Sequence, residues 1–170
     1  MLNYLHEQIS SIINIEILSE SEDGISIQYY DDNLPSPDQV NQINSIVNSW
    51  PLQKLKLEKI QLLDQLWKSK LKTGWQTPAG YYLGIDISDV SLLNGAFTLA
   101  KEAHNIGIND PVSIVDMNGQ SHPMSLQDLT LLMLQYGQAR ASLSNSYASI
   151  KQDINYASSS EELESINIIL

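Results

Sequence analysis

The chain contains no cysteine. Disulfides, thiolate metal ligands and a thiolate nucleophile are therefore excluded from its chemistry. This fits a reducing compartment without requiring one. No apolar run approaches the roughly 20 residues that a membrane-spanning helix needs. The opening residues, MLNYLHEQIS, have neither the basic start nor the small-residue cleavage site of a secretory signal, so no leader is expected. Residues 1–50 have no Lys or Arg, yet carry Glu7, Glu16, Glu20, Glu22, Asp23, Asp31, Asp32 and Asp38. There is no G-x-S-x-G, no H-E-x-x-H and no phosphate-cradling glycine loop.

What is present suits a globular protein. A length of 170 residues allows one domain with a core and a small appendage. Hydrophobic residues make up 42% and charged residues 17%, which argues against disorder. The net charge of -11 argues against nucleic acid, since phosphate binding wants a basic face. Six of the nine basic residues, Lys54, Lys56, Lys59, Lys68, Lys70 and Lys72, crowd into residues 51–72. This switch of sign places a boundary near Pro51. It divides an acidic hairpin-plus-helix segment, 1–50, from a domain over 51–170.

Leu2, Leu5, Ile9 and Ile12 predict an opening helix. INIEIL (13–18) and ISIQYYD (25–31) alternate around the turn residues SESEDG and predict an antiparallel hairpin. Ser36, Pro37 and Asp38 provide a cap, a first helical position and a dipole-matched acid for a helix ending near Trp50. Pro51 is expected to open a second helix to Lys72. Its apolar residues spread over roughly 220°, where a one-sided surface helix needs about 100°. Such a helix is either central to the fold or shared with a partner. Thr77-Pro78-Ala79-Gly80 forms a β-turn sequence, so GWQT and YYLGIDI should pair. Ser88 or Asp89 is the expected cap of a helix ended by Gly107. Val112–Leu129 follows, then a helix of about thirty residues from Leu126, striped by Leu129, Leu132, Tyr136 and Leu143. SSSEELESI predicts a short last helix capped by Ser160 or a neighbouring serine. The class is α+β: an N-terminal β-hairpin and helix, then two β-hairpins among three helices, one long and C-terminal.

The stretch VSIVDMNGQSHPMSLQDL holds most of the candidate chemistry. As a calcium loop with Gly119 in the sixth place, it puts Asp116 and Asn118 at positions three and five. Positions one and twelve would be Ile114 and Ser125, where carboxylates are needed, so the loop fails. As a hairpin it succeeds: Asn118-Gly119 is a strong two-residue turn, and Ser125 with Asp128 forms an S-x-x-D cap. His122 alone is left without a local task. Asp86 with Asp89, or Asp116 with Asp128, could supply an acid and a base, but acids are plentiful here. His6, His104 and His122 lie in separate segments without ligand spacing. The reading assigns no catalytic residue, no metal site and no cofactor. The candidate partner contacts are Trp75 and the pairs Tyr29-Tyr30 and Tyr81-Tyr82. Adjacent strand residues face opposite ways, so one tyrosine of each pair can remain outside as an anchor.

Three segments, GWQTPAGYYLGIDISD, VDMNGQSHPMSLQDL and INYASSSEELESI, in this order and spacing, resemble a family of bacteriophage tail-fibre assembly and fibre-associated proteins. These carry a small domain of uncharacterised function. The resemblance covers roughly 51–168, through Gly74 to Gly80, Asp116 to Asp128 and Ile154 to Ile166. It implies a non-enzymatic assembly protein or accessory chaperone that binds the tail-fibre polypeptide. The alternative it leaves is a permanent tail or baseplate component joining fibres to the tail. Tail proteins are then the implied partners, in an oligomeric tail assembly, with no membrane or nucleic acid. The implied location is the host cytoplasm during assembly, or the virion tail. The family supplies no catalytic residues to carry over.

Overall fold

The computed structural model of the chain describes all residues except 22–23 and 31–33. The proposed turn residues Glu22 and Asp23, and Asp31 at the end of the second expected strand, lie outside the described residues. The fold is α+β. Among the described residues, five helices alternate with three two-stranded antiparallel hairpins. Two compact units are formed, one from Met1–Gln61 with Asp153–Ile166, the other from Leu62–Gln152 with Asn167–Leu170. These bounds differ from the 1–50 and 51–170 division drawn from charge.

The first unit begins with α1 (Leu2–Ser10), followed by β1 (Ile15–Ser21) and β2 (Gly24–Tyr29). Strict alternation in INIEIL would put Ile13, Ile15 and Ile17 on one face. Instead a bulge between Ile15 and Ile17 shifts the phase. Ile15 and Leu18 point into the core, and Ile17 is half exposed. One extra residue inverts every later side chain of a strand, which is what happens here. The core gathers Leu5, Ile9, Ile13, Ile15, Leu18, Ile43 and Trp50.

Helix α2 runs unbroken from Pro37 to Thr73, with Pro51 inside it. Two helices meeting at Pro51 were expected, so this is a correction. An interior proline loses one backbone hydrogen bond and crowds the preceding turn, at a cost of about 3 kcal/mol. Burial of Trp50 directly before it, and of Ile43 two turns earlier, offsets that cost, at about 1.5–3 kcal/mol for each large side chain. The lysine run also has a structural use. Lys54 pairs with Glu20 at 3.0 Å. Lys56 donates to the Asn155 carbonyl at 2.8 Å. Lys59 donates to the carbonyls of Leu163 and, at 2.9 Å, Ile166. Those carbonyls end α5 (Ser160–Ser165), whose start is capped by Ser159, the serine neighbouring Ser160, as expected.

The second unit holds β3 (Trp75–Gln76), β4 (Tyr82–Leu83), α3 (Ile87–Asn105), β5 (Val112–Val115), β6 (Ser121–Met124) and most of α4 (Leu126–Tyr156). The Thr77–Gly80 turn forms as expected, the Gly80 amide donating to the Thr77 carbonyl at 2.9 Å. The paired part is shorter than GWQT and YYLGIDI suggest, two residues a side. Its core joins Leu83, Ile85, Leu93, Ala100, Ile114, Leu129, Leu132 and Tyr136. The Tyr136 hydroxyl donates to the Gly84 carbonyl at 2.9 Å. Gly84 leaves no room for a side chain, because a Cβ there would fall about 2.0 Å from the Asp89 carboxylate.

Candidate functional site

The Asp116 loop is built by β5 and β6, which pair in the register Ile114↔His122 and Val115↔Ser121. The turn differs from the one expected. The Gly119 amide donates to the Asp116 carbonyl at 2.9 Å, which makes Met117 and Asn118 the central pair. Gly119 follows at φ +79°. This is a tight turn closed by a left-handed glycine, not a two-residue Asn-Gly turn. The Asp116 side chain, only 1% exposed, explains the choice. Its Oδ1 accepts from the amides of Asn118 (2.8 Å) and Gln120 (2.9 Å), drawing the loop around itself.

Its Oδ2 lies 3.0 Å from His122 Nε2. Tyr81 stacks flat on the imidazole, with ring centroids 3.9 Å apart and planes 15° from parallel. The hydrogen bond from His122 holds the Asp116 carboxyl below its usual range, against the opposing effect of desolvation. Desolvation pushes the Tyr81 phenol up. His122, left without a task by the sequence, thus clasps the loop. A carboxylate with all these donors around it is an acceptor hub, and among the described residues no hydroxyl bonds the imidazole to complete a nucleophilic triad.

The other carboxylates also have local tasks. Asp86, not Ser88 or Asp89, caps α3. Its Oδ1 accepts from the Asp89 amide at 3.0 Å, and Asp89 Oδ2 accepts from the Asp86 amide at 3.2 Å. This is a reciprocal capping box, and its two carboxyls are shifted in opposite directions. The Ser88 hydroxyl lowers the Asp86 pKa, and desolvation raises that of Asp89. Asp128 accepts from the Ser125 hydroxyl at 2.7 Å at the start of α4, apart from Asp116 in its hydrogen bonding. The histidines are not gathered: His6 meets Ser10 and His104 meets Asn109. Among the described residues, no group of three metal-ligating side chains forms.

Of the candidate partner contacts, Tyr29 packs half-buried on the first core, while Tyr30 stays 46% exposed. This pair faces opposite ways as expected. In the other pair neither tyrosine is left outside, because Tyr81 and Tyr82 are both half-buried. Trp75 and Tyr81 pack on the second core, Trp75 edge-on to Tyr136 at 5.8 Å. The Tyr82 carbonyl accepts from the Met117 amide at 2.9 Å.

The sequence reading missed a larger feature on α3. Leu92 and Leu99 on the helix and Ile106 at its C-cap recur every seven residues and are 74%, 62% and 75% exposed. Heptad spacing was the available signal. Beside this stripe, a cleft of about 220 Å³ is lined by Leu83, Leu92, Leu93, Ile114 and Val115, with Asp89 as its one charged group. No helix among the described residues is long and apolar enough to cross a membrane. No family model matches the chain, and comparison with curated proteins and with solved structures yields no match.

Proposed function

We propose that this chain is a non-enzymatic assembly protein of the bacteriophage tail fibre, an accessory chaperone that binds the fibre polypeptide. The exposed apolar stripe of α3, with the cleft beside it, is the observation that carries the reading. A monomer gains nothing by holding Leu92 and Leu99 in water, whereas a partner helix or strand would cover them. The resemblance in Gly74 to Gly80, Asp116 to Asp128 and Ile154 to Ile166 supplies the phage context. The polar residues of those segments are occupied in turns and caps, which supports a scaffold role over chemistry. Assembly would take place in the host cytoplasm.

The test is co-expression of fibre protein with and without this chain, and with Leu92→Ser/Leu99→Ser. Wild type should raise the yield of soluble, trimeric fibre, and the double variant should lose that gain. Equal yields in all three would sink the proposal. Stoichiometric presence in purified virions would favour the alternative of a permanent component joining fibres to the tail.

A further inference from the structure

Arg140 is the only arginine of the chain, and it is half-buried on α4. With twenty acidic residues against nine basic ones, an acid partner should be easy to find. The ion pairs among the described residues are Lys54–Glu20 and His122–Asp116, and none engages this guanidinium. No hydrogen bond among the described residues reaches it either. A guanidinium offers five donors in a planar fork suited to a carboxylate, and those of Arg140 are open to solvent rather than sealed in the core, so a ligand can reach them.

Two adjoining clefts share Arg140 together with Ile85 and Leu143. The smaller, about 160 Å³, adds Lys70 and Trp75 and contains no acidic residue. The larger, about 480 Å³, adds the apolar faces of Trp67 and Leu71, with Ser88 and Asp86. One cleft is therefore doubly cationic and the other mainly apolar.

We propose that the two clefts form one binding site for an organic monocarboxylate with an apolar body. The carboxylate sits between Arg140 and Lys70, and the body lies against Trp67, Leu71 and Leu143. Asp86 sets a limit on the ligand. It is kept ionised by the Ser88 hydroxyl at 2.5 Å and the Asp89 amide at 3.0 Å. A second carboxylate on the ligand would meet that charge, so dicarboxylates are disfavoured. A bare inorganic anion would leave the apolar cleft empty. This site is separate from the α3 stripe and stands whether or not the chain assists fibre assembly.

The test is titration of the full chain with N-acetyl-leucine, its neutral amide and N-acetylglutamate. The readouts are the indole N–H resonances of Trp67 and Trp75 in NMR spectra. Saturable binding of N-acetyl-leucine, about tenfold or more tighter than either control, is expected. Arg140→Gln should weaken it by about tenfold or more. Lys70→Gln should weaken it severalfold; Lys70 is exposed and supports no core, so this variant keeps the test valid if the other misfolds. A leucine-terminated peptide with a free carboxylate, compared with its amidated form, tells a polypeptide C-terminus from a free acid. Binding of that peptide tighter than N-acetyl-leucine identifies the former as the source, and equal or weaker binding identifies the latter. Equal affinity for acid and amide, unchanged binding in both variants, or no saturation by any carboxylate would overturn the proposal.

Discussion

The two units close their free backbone ends with charges of opposite sign. In the first, ammonium groups do most of it, with Lys56 and Lys59 donating to the last carbonyls of α4 and α5, and one carboxylate, Glu162, accepts from the Ser158 amide at 2.7 Å. In the second, carboxylates do it: Asp116 gathers the amides of its loop, and Asp86 with Asp89 caps α3. Helix C-termini present carbonyls and welcome cations, whereas turns and N-termini present amides and welcome anions. Of the six lysines dense in 51–72, three (Lys54, Lys56 and Lys59) are thus spent within the first unit, and the other three lie in the second. A change of charge along a sequence need not mark a change of unit.

Trp50→Ala should have the largest effect. Trp50 is 3% exposed and donates from Nε1 to Glu20 at 3.3 Å. Its truncation should cost about 3–5 kcal/mol in urea denaturation, showing that apolar packing outweighs either kind of polar closure. Asp116→Asn should come next and should depend on pH. The folded Asp116 has a lowered pKa. Its contribution is therefore present above the ordinary carboxylate value of about 3.9, and is lost as pH falls through the folded pKa. Wild type should lose its advantage over the variant below about pH 4; a difference unchanged down to pH 2 would refute the charge argument.

Lys59→Met keeps the apolar stem and removes the donors. It should cost about 1 kcal/mol, with a weak dependence on acid. If its effect vanished in acid as that of Asp116 does, the contrast between the units would fail. The smallest change is expected for Leu92→Ser/Leu99→Ser, within about 0.5 kcal/mol for each exposed site. A large loss of stability there would mean that the α3 stripe serves this chain's own fold.

Elements with local causes were legible from the sequence. The Thr77–Gly80 turn, the Ser125–Asp128 cap and the stripe through Leu129, Leu132 and Tyr136 need only neighbouring residues to form. Failures arose where a distant contact settled the matter. Pro51 argues locally for a helix start, and burial of Trp50 overrules it. The bulge beside Glu16 has no signal in an alternating run. Asn118-Gly119 suggests one turn, and the demand of the Asp116 carboxylate for amides produces another. The Asp116–His122 contact could have been inferred from the register. Once Ile114 faces His122, Asp116 lies diagonally across the same face. The absence of an ion-pair partner for Arg140 among the described residues could not, because it depends on what fails to arrive nearby.

The course of α2 bears on how the protein can be cut. A fragment starting at Pro51, where charge and motif both invite a boundary, would divide a 37-residue helix. Residues 51–61 and 153–166 would remain, without the core they belong to. Leu57 would lose the cluster it packs against, which centres on Leu5, Ile9 and Trp50. Such a fragment should bind hydrophobic dyes and precipitate on concentration, however well its second unit folds.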